Sequence, residues 1–292
     1  MTTDLAPDLQ DSPLLVSARE LISDVASLPT PVILDVRWQL GDPHGRTHYY
    51  SGHIPGAQYM NLQADLAGQR SAREGRHPLP KRGEFEEAMR RIGINDDSRV
   101  VVYDDFGNTS AARAWWLLRW AGKKDVYLLD GGLKAWMAEG EDLAVGPGNP
   151  VERGDFTLGQ QDMRTVNADE TAEWPDRGVL IDVRAHERYA GRTEPMDSRA
   201  GHIPGAVNLP TTSFLDAKGH FLPAERIREM FADIGVTSGN EAVVYCGSGI
   251  HATHALAAME VAGLEPGRLY PGSWSQWSAN RQRPIAVGDN PG

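Results

Sequence analysis

The chain carries two imperfect copies of one unit, and this repeat constrains its fold more than any other feature. Val32-Ile-Leu-Asp-Val-Arg37 returns as Val179-Leu-Ile-Asp-Val-Arg184, and Gly52-His-Ile-Pro-Gly-Ala57 returns letter for letter as Gly201-His-Ile-Pro-Gly-Ala206. Arg91-Ile-Gly-Ile94 pairs with Asp233-Ile-Gly-Val236, Val101-Val-Tyr103 with Val243-Val-Tyr245, and Gly131 to Trp136 with Gly272 to Trp277, in the same order. A repeat this long is a whole domain, so the 292 residues divide into two homologous domains. The expected boundaries are 1–145 for the first, 146–162 for a linker that opens with Gly-Pro-Gly-Asn-Pro, and 163–292 for the second.

Within each unit, apolar β-branched runs alternate with stretches of helical spacing. The runs that end in Asp-Val-Arg have the pattern of strands buried on both faces of a parallel sheet. Ser17 to Glu20 and Asn167 to Glu170 read as capping boxes that start short helices, and each Gly-His-Ile-Pro-Gly-Ala reads as a turn. Further helices are expected over 84–92, 111–121, 224–234 and 252–262, with strands at 126–129 and 268–270. The fold class is therefore α/β, each domain a mainly parallel sheet flanked by helices. The tryptophans at 115, 116 and 120 have helix spacing and read as core. His44 and His48 have metal-like spacing, but Pro43 and Gly45 argue against a regular helix face there.

One residue singles out the second unit. Cys246 is the only cysteine, and it stands where the Val243-Val-Tyr245 strand passes through Gly247-Ser248-Gly249 into a helix. Backbone N–H groups of a glycine-rich loop and the positive end of a helix dipole favour thiolate over thiol, and the thiolate is the nucleophile. The first unit has Asp104 at the same position and cannot perform thiol chemistry. A catalytic domain with a divergent partner follows, with the site expected in the cleft between them. The formal net charge of −11 disfavours nucleic acid as a partner, and the lone cysteine excludes an internal disulfide framework. The N-terminus has neither the basic nor the apolar region of a secretory signal, and no apolar run is long enough for a membrane span. A cytoplasmic protein with no membrane partner is expected.

These motifs, together with Gly272-Ser273-Trp274, resemble the two-domain rhodaneses over roughly residues 14–285. The resemblance implies two tandem rhodanese-like domains and sulfur transfer through a cysteine persulfide, without metal or organic cofactor. It also implies a small-molecule sulfur donor and a thiol, cyanide or thioredoxin-like acceptor. Thiosulfate-using members resemble Cys-Arg-Lys-Gly-Val-Thr at the loop and mercaptopyruvate-using members Cys-Gly-Ser-Gly-Val-Thr. Cys246-Gly-Ser-Gly-Ile-His251 is similar to the second. The loop residues Gly247, Gly249, Ile250 and His251 are then expected around the substrate, with His251 a departure from the family's threonine.

By the same resemblance Arg188 matches a substrate-binding arginine, and a second is expected at Arg192 or Arg199. A Ser-His-Asp relay would consist of Ser248, His53 and Asp42, although His202 occupies the turn equivalent to that of His53 with no chemistry assigned to it. A cysteine phosphatase would need an arginine at position 252, which is alanine, and Gly-Ser-Gly is not a serine-hydrolase elbow. Thiosulfate:cyanide sulfur transfer and a non-catalytic persulfide carrier are the readings that compete with mercaptopyruvate turnover.

Overall fold

The computed structural model describes residues 14–292. The first domain contains strands β1 (Leu15–Val16), β2 (Val32–Asp35), β3 (Gln58–Tyr59), β4 (Val100–Tyr103) and β5 (Val126–Leu129). Its helices are α1 (Ala18–Val25), α2 (Gly45–Ser51), α3 (Leu62–Asp65), α4 (Arg82–Arg91), α5 (Ala111–Trp120) and α6 (Gly132–Ala138). The second domain repeats the plan with β6 (Arg164–Thr165), β7 (Val179–Asp182), β8 (Ala206–Asn208), β9 (Ala242–Tyr245) and β10 (Arg268–Leu269). Its helices are α7 (Ala168–Ala172), α8 (His186–Tyr189), α9 (Ala224–Asp233), α10 (His251–Val261) and α11 (Ser273–Ala279). The strand orders β1-β5-β4-β2-β3 and β6-β10-β9-β7-β8 are the same, and every pairing is parallel. Both capping boxes form as the sequence suggests, at Ser17 and Asn167. Among the described residues no helix is long and apolar enough to cross a membrane.

The repeated motifs turn out to be one structural lock used twice. In register, Asp35 faces Tyr103 and Asp182 faces Tyr245. Arg37 clasps Asp35 and donates to the Gly52 carbonyl at 2.7 Å, as Arg184 clasps Asp182 and donates to the Gly201 carbonyl at 2.6 Å. The tyrosine hydroxyls accept from the N–H of Ile54 and of Ile203, both at 3.1 Å. A buried arginine is tolerable only when its donors are matched, and carboxylate plus turn carbonyl achieve this. The lock ties the ends of the two central strands to the turn that follows.

α5 and α10 pack against each other across the domain boundary, each buried nearly all round. Trp115 and Trp116 are fully buried, and one apolar core runs from the first sheet through these helices into the second. The expected linker has no helix or strand, yet it is laid along the first domain: the N–H groups of Gly154 and Phe156 donate to the carbonyls of Arg90 and Ile94. The expectation against a helix near Gly45 fails. α2 begins at Gly45, where glycine is required because a Cβ would lie 2.2 Å from the Arg37 carbonyl, and His48 pairs with Asp42 rather than with His44.

Candidate active site

Cys246 leaves the C-terminal end of β9 and is 4% exposed. Its Sγ accepts the Gly249 N–H at 3.2 Å, which holds the sulfur over the loop that leads into α10. Gly249 has φ +81°, and a Cβ there would lie 2.5 Å from the Pro271 carbonyl, so only glycine can turn the chain this way. The Gly272-Ser273-Trp274 segment braces the loop from outside. The Cys246 N–H donates to Ser273 Oγ, and the N–H groups of Trp274 and Ser275 donate to the carbonyls of Cys246 and Gly247.

Asp104 shows what this kind of loop is built to hold. In the first domain its carboxylate is buried and accepts four backbone N–H groups, from Phe106, Asn108 and Ser110 at 2.8 Å and Ala111 at 3.1 Å. A loop between a sheet strand and a helix gathers N–H donors around one anion. The first domain fills that cradle with its own side chain, whereas the second puts a sulfur there.

Ser248 is 6% exposed, and its Oγ lies 2.9 Å from Nδ1 of His77. His77 therefore stands where the sequence placed His53. His53 is sealed into its own turn: Nδ1 lies 2.9 Å from the Tyr49 carbonyl and the ring stacks on Tyr49 at 3.8 Å. His202 repeats both contacts with Tyr189 in the second unit, so the shared histidine belongs to the turn. Asp42 is bound to the ring of His48 and the N–H of His44 on the outer cleft wall, and it makes no hydrogen bond to His77. Burial, with Arg113 and Arg76 nearby, holds the His77 pKa down to about 3, so its imidazole is neutral at physiological pH.

Arg188 reaches the site as expected, lining a cavity of about 200 Å³ together with Cys246, Gly247, Ile250 and His251. Arg192 and Arg199 do not. Arg192 is half-exposed and paired with Asp289, and Arg199 spends its guanidinium on four backbone carbonyls between Trp277 and Arg283. The second cation is Arg76, from the first domain. The guanidinium atoms of Arg76 and Arg188 come within 3.3 Å and 3.4 Å of where a Gly247 Cβ would be. A side chain at 247 would be in tight contact with both guanidinium ends. His251 is largely buried, and burial together with the Arg188 charge keeps its pKa down to about 4, so it adds no positive charge at neutral pH.

Arg76 and His77 arrive on a segment that docks across the domain boundary. The Arg76 N–H donates to Ser275 Oγ at 3.0 Å, Gly75 packs on the Gly272 carbonyl, and Gln276 donates to the Arg73 carbonyl. Beneath them Arg113, fully buried, donates to the carbonyls of Leu66, His77, Pro78 and Gly249. It braces His77 and the cysteine loop at once. Nothing in the sequence pattern marks this segment except Arg76-His77-Pro78 in a connection longer than its counterpart in the second unit. The cavity opens into a larger cleft of about 580 Å³ that shares Trp38, Leu40 and Arg76.

The rhodanese-like domain model matches residues 17–139 and 167–280. A Pseudomonas aeruginosa protein provisionally named a 3-mercaptopyruvate sulfurtransferase is 43% identical over 282 residues, 94% of this chain and 98% of that one. A Mycobacterium tuberculosis protein provisionally named thiosulfate sulfurtransferase SseB is 40% identical over 278 residues, 94% of this chain and 97% of that one. Among solved structures, the 3-mercaptopyruvate sulfotransferase SseA of Escherichia coli superposes with a TM-score of 0.78 at 31% identity. That match covers 89% of this chain and 98% of the other.

Proposed function

The chain belongs to the rhodanese family and is a sulfurtransferase; we propose that its donor is 3-mercaptopyruvate and its carrier a persulfide on Cys246. Relatives of nearly equal similarity carry both donor names, so the site must supply the reason for a choice. The observation that carries it is the Ser248–His77 pair beside a loop whose own side chains bring no charge. Pyruvate leaves as an enolate and needs a hydrogen bond and then a proton; sulfite, leaving from thiosulfate, needs neither.

In the first half-reaction the Cys246 thiolate attacks the donor sulfur. The S–S bond forms, the C–S bond breaks, and its electron pair passes to carbon as the enolate of pyruvate. The donor's thiol proton ends on that carbon, leaving pyruvate and the persulfide anion. Arg188 and Arg76 are placed to bind the donor carboxylate. A neutral His77 with its proton on Nδ1 donates to Ser248 Oγ and leaves the serine hydroxyl free to meet the enolate oxygen. The Gly249 N–H, already on Sγ, supports the persulfide as Asp104 is supported in the first domain. In the second half-reaction cyanide, a small thiol or a thioredoxin-like dithiol attacks the outer sulfur and regenerates the thiolate.

The test is kcat/KM for sulfur transfer to cyanide from 3-mercaptopyruvate and from thiosulfate, with Cys246→Ala as the blank. Mercaptopyruvate is expected to win, and Ser248→Ala to lower it by about 100-fold while lowering thiosulfate far less. Equal losses on both donors remove Ser248 from the leaving-group chemistry. A wild-type preference for thiosulfate overturns the donor assignment.

A further inference from the structure

Asp197 sits against the two guanidiniums of the donor site and has no part in the chemistry above. Its Oδ1 accepts from Arg76 Nη1 at 2.7 Å, and its Oδ2 lies 3.5 Å from Arg188 Nη2 without a hydrogen bond of its own. Nε of Arg76 and Nε of Arg188 are likewise buried without partners. The bonding within the Arg76–Asp197–Arg188 group is thus incomplete, and the terminal nitrogens of its two guanidiniums lie beside Gly247 in the cavity wall.

The charges there balance. Arg76, Arg184 and Arg188 face Asp182, Glu194 and Asp197, all with side chains no more than 16% exposed. Glu194 is fully engaged: it accepts from Arg188 and from the N–H groups of Met196 and Asp197, and it lies 3.3 Å from Arg184. Asp182 belongs to the strand lock. Among the described residues Asp197 is the carboxylate that touches both Arg76 and Arg188, the two cations of the cavity wall, and it keeps one oxygen without a hydrogen bond.

We propose that Asp197 sets the charge class of the donor, its carboxylate offsetting the Arg76–Arg188 pair so that the site takes monoanionic sulfur donors and turns away dianions. This rests on the cavity beside Cys246 being the donor site. Mercaptopyruvate meets the condition through its single carboxylate, and thiosulfate carries two charges. Coulomb energy is linear in the charge of the ligand. Removing one negative charge from the site therefore changes the free energy of a dianion twice as much as that of a monoanion. The fold-gain for the dianion is the square of that for the monoanion.

The experiment compares kcat/KM for both donors in wild type, Asp197→Asn and Asp197→Glu. Asn keeps an oxygen for Arg76 and loses the charge. A gain of about 3-fold for mercaptopyruvate should accompany about 10-fold for thiosulfate, and the gap should narrow as salt is raised. Asp197→Glu, which keeps the charge, should keep the wild-type ratio of the two donors. A purely structural latch would move both donors by the same factor, and that result overturns the proposal. Should the Asn variant fail to fold, Asp197→Ala removes the same charge, and thiosulfate must again gain more than mercaptopyruvate; equal changes overturn the proposal equally. A wild-type preference for thiosulfate would overturn the donor assignment and with it the exclusion of dianions, whereas equal factors in the Asn variant of an enzyme that prefers mercaptopyruvate overturn the role of Asp197 alone. Turnover of neither donor overturns both.

Discussion

His53 and His77 separate two roles that one residue type can take. Both rings are buried, but His53 spends its contacts on the turn that contains it, while His77 spends its Nδ1 on a serine from the other domain. His77→Asn should lower kcat/KM with mercaptopyruvate by about 100-fold, with little change in melting temperature. His53→Asn should do the reverse, costing about 1–2 kcal/mol of stability through the lost hydrogen bond and ring stacking while leaving kcat/KM within a few-fold. Steady-state kinetics and urea unfolding of the two variants check this directly. The result that would reassign the relay is a large kinetic loss in the His53 variant alone. Arg76 shows the same lesson for charge: an arginine's role is set by what lies opposite its guanidinium, and for Arg76 that is a loop more than a hundred residues away in sequence.

At the scale of elements, periodicity served well where burial is regular. α1, α4, α5, α9 and α10 all form within a residue or two of where apolar spacing and capping placed them. The short helix α2 and the 73–77 segment escaped, because backbone contacts hold them: a glycine under a carbonyl, an N–H on a serine hydroxyl. Such contacts leave no period in a sequence. The cysteine loop is also backbone-limited, which makes Gly249→Ala a sharp probe. The added methyl must push against the Pro271 backbone from a left-handed conformation, so the N–H on Sγ is displaced. Activity should fall by at least about 10-fold, with destabilisation of about 1–3 kcal/mol. Wild-type kcat/KM in the alanine variant would show that this N–H does not support the sulfur.

At the scale of the whole molecule, the interface between the domains buries three histidines as neutral rings. His77 and His254 are held down to about 3 and His251 to about 4, in each case chiefly by burial. A histidine whose folded value is lowered stabilises the fold above its ordinary value and loses that contribution as pH falls from 6.5 towards the folded value, because the unfolded chain takes up the proton first. Each group should cost about 2 kcal/mol by pH 5. His220, raised by its contact with Asp130, works the other way over a smaller range. Urea unfolding should therefore show a marked loss of stability between pH 7 and pH 5, and His254→Gln should flatten the slope. A stability that is level across that interval would mean that these rings are not buried neutral in solution.

The sequence by itself determined the two-domain α/β plan, because its two copies share the same alternation of apolar runs and helical spacing, and the Asp, Arg, Tyr and turn residues they share close the same lock twice. It also determined the place of the cysteine that we propose as the nucleophile, because a lone cysteine before Gly-Ser-Gly at a strand end is a local pattern. Only the tertiary structure decided which histidine meets Ser248 and which arginine joins Arg188. Those partners come from the first domain, on a segment with no period of its own, and they are brought to the sulfur by the packing of α5 on α10 and by backbone contacts across the domain boundary.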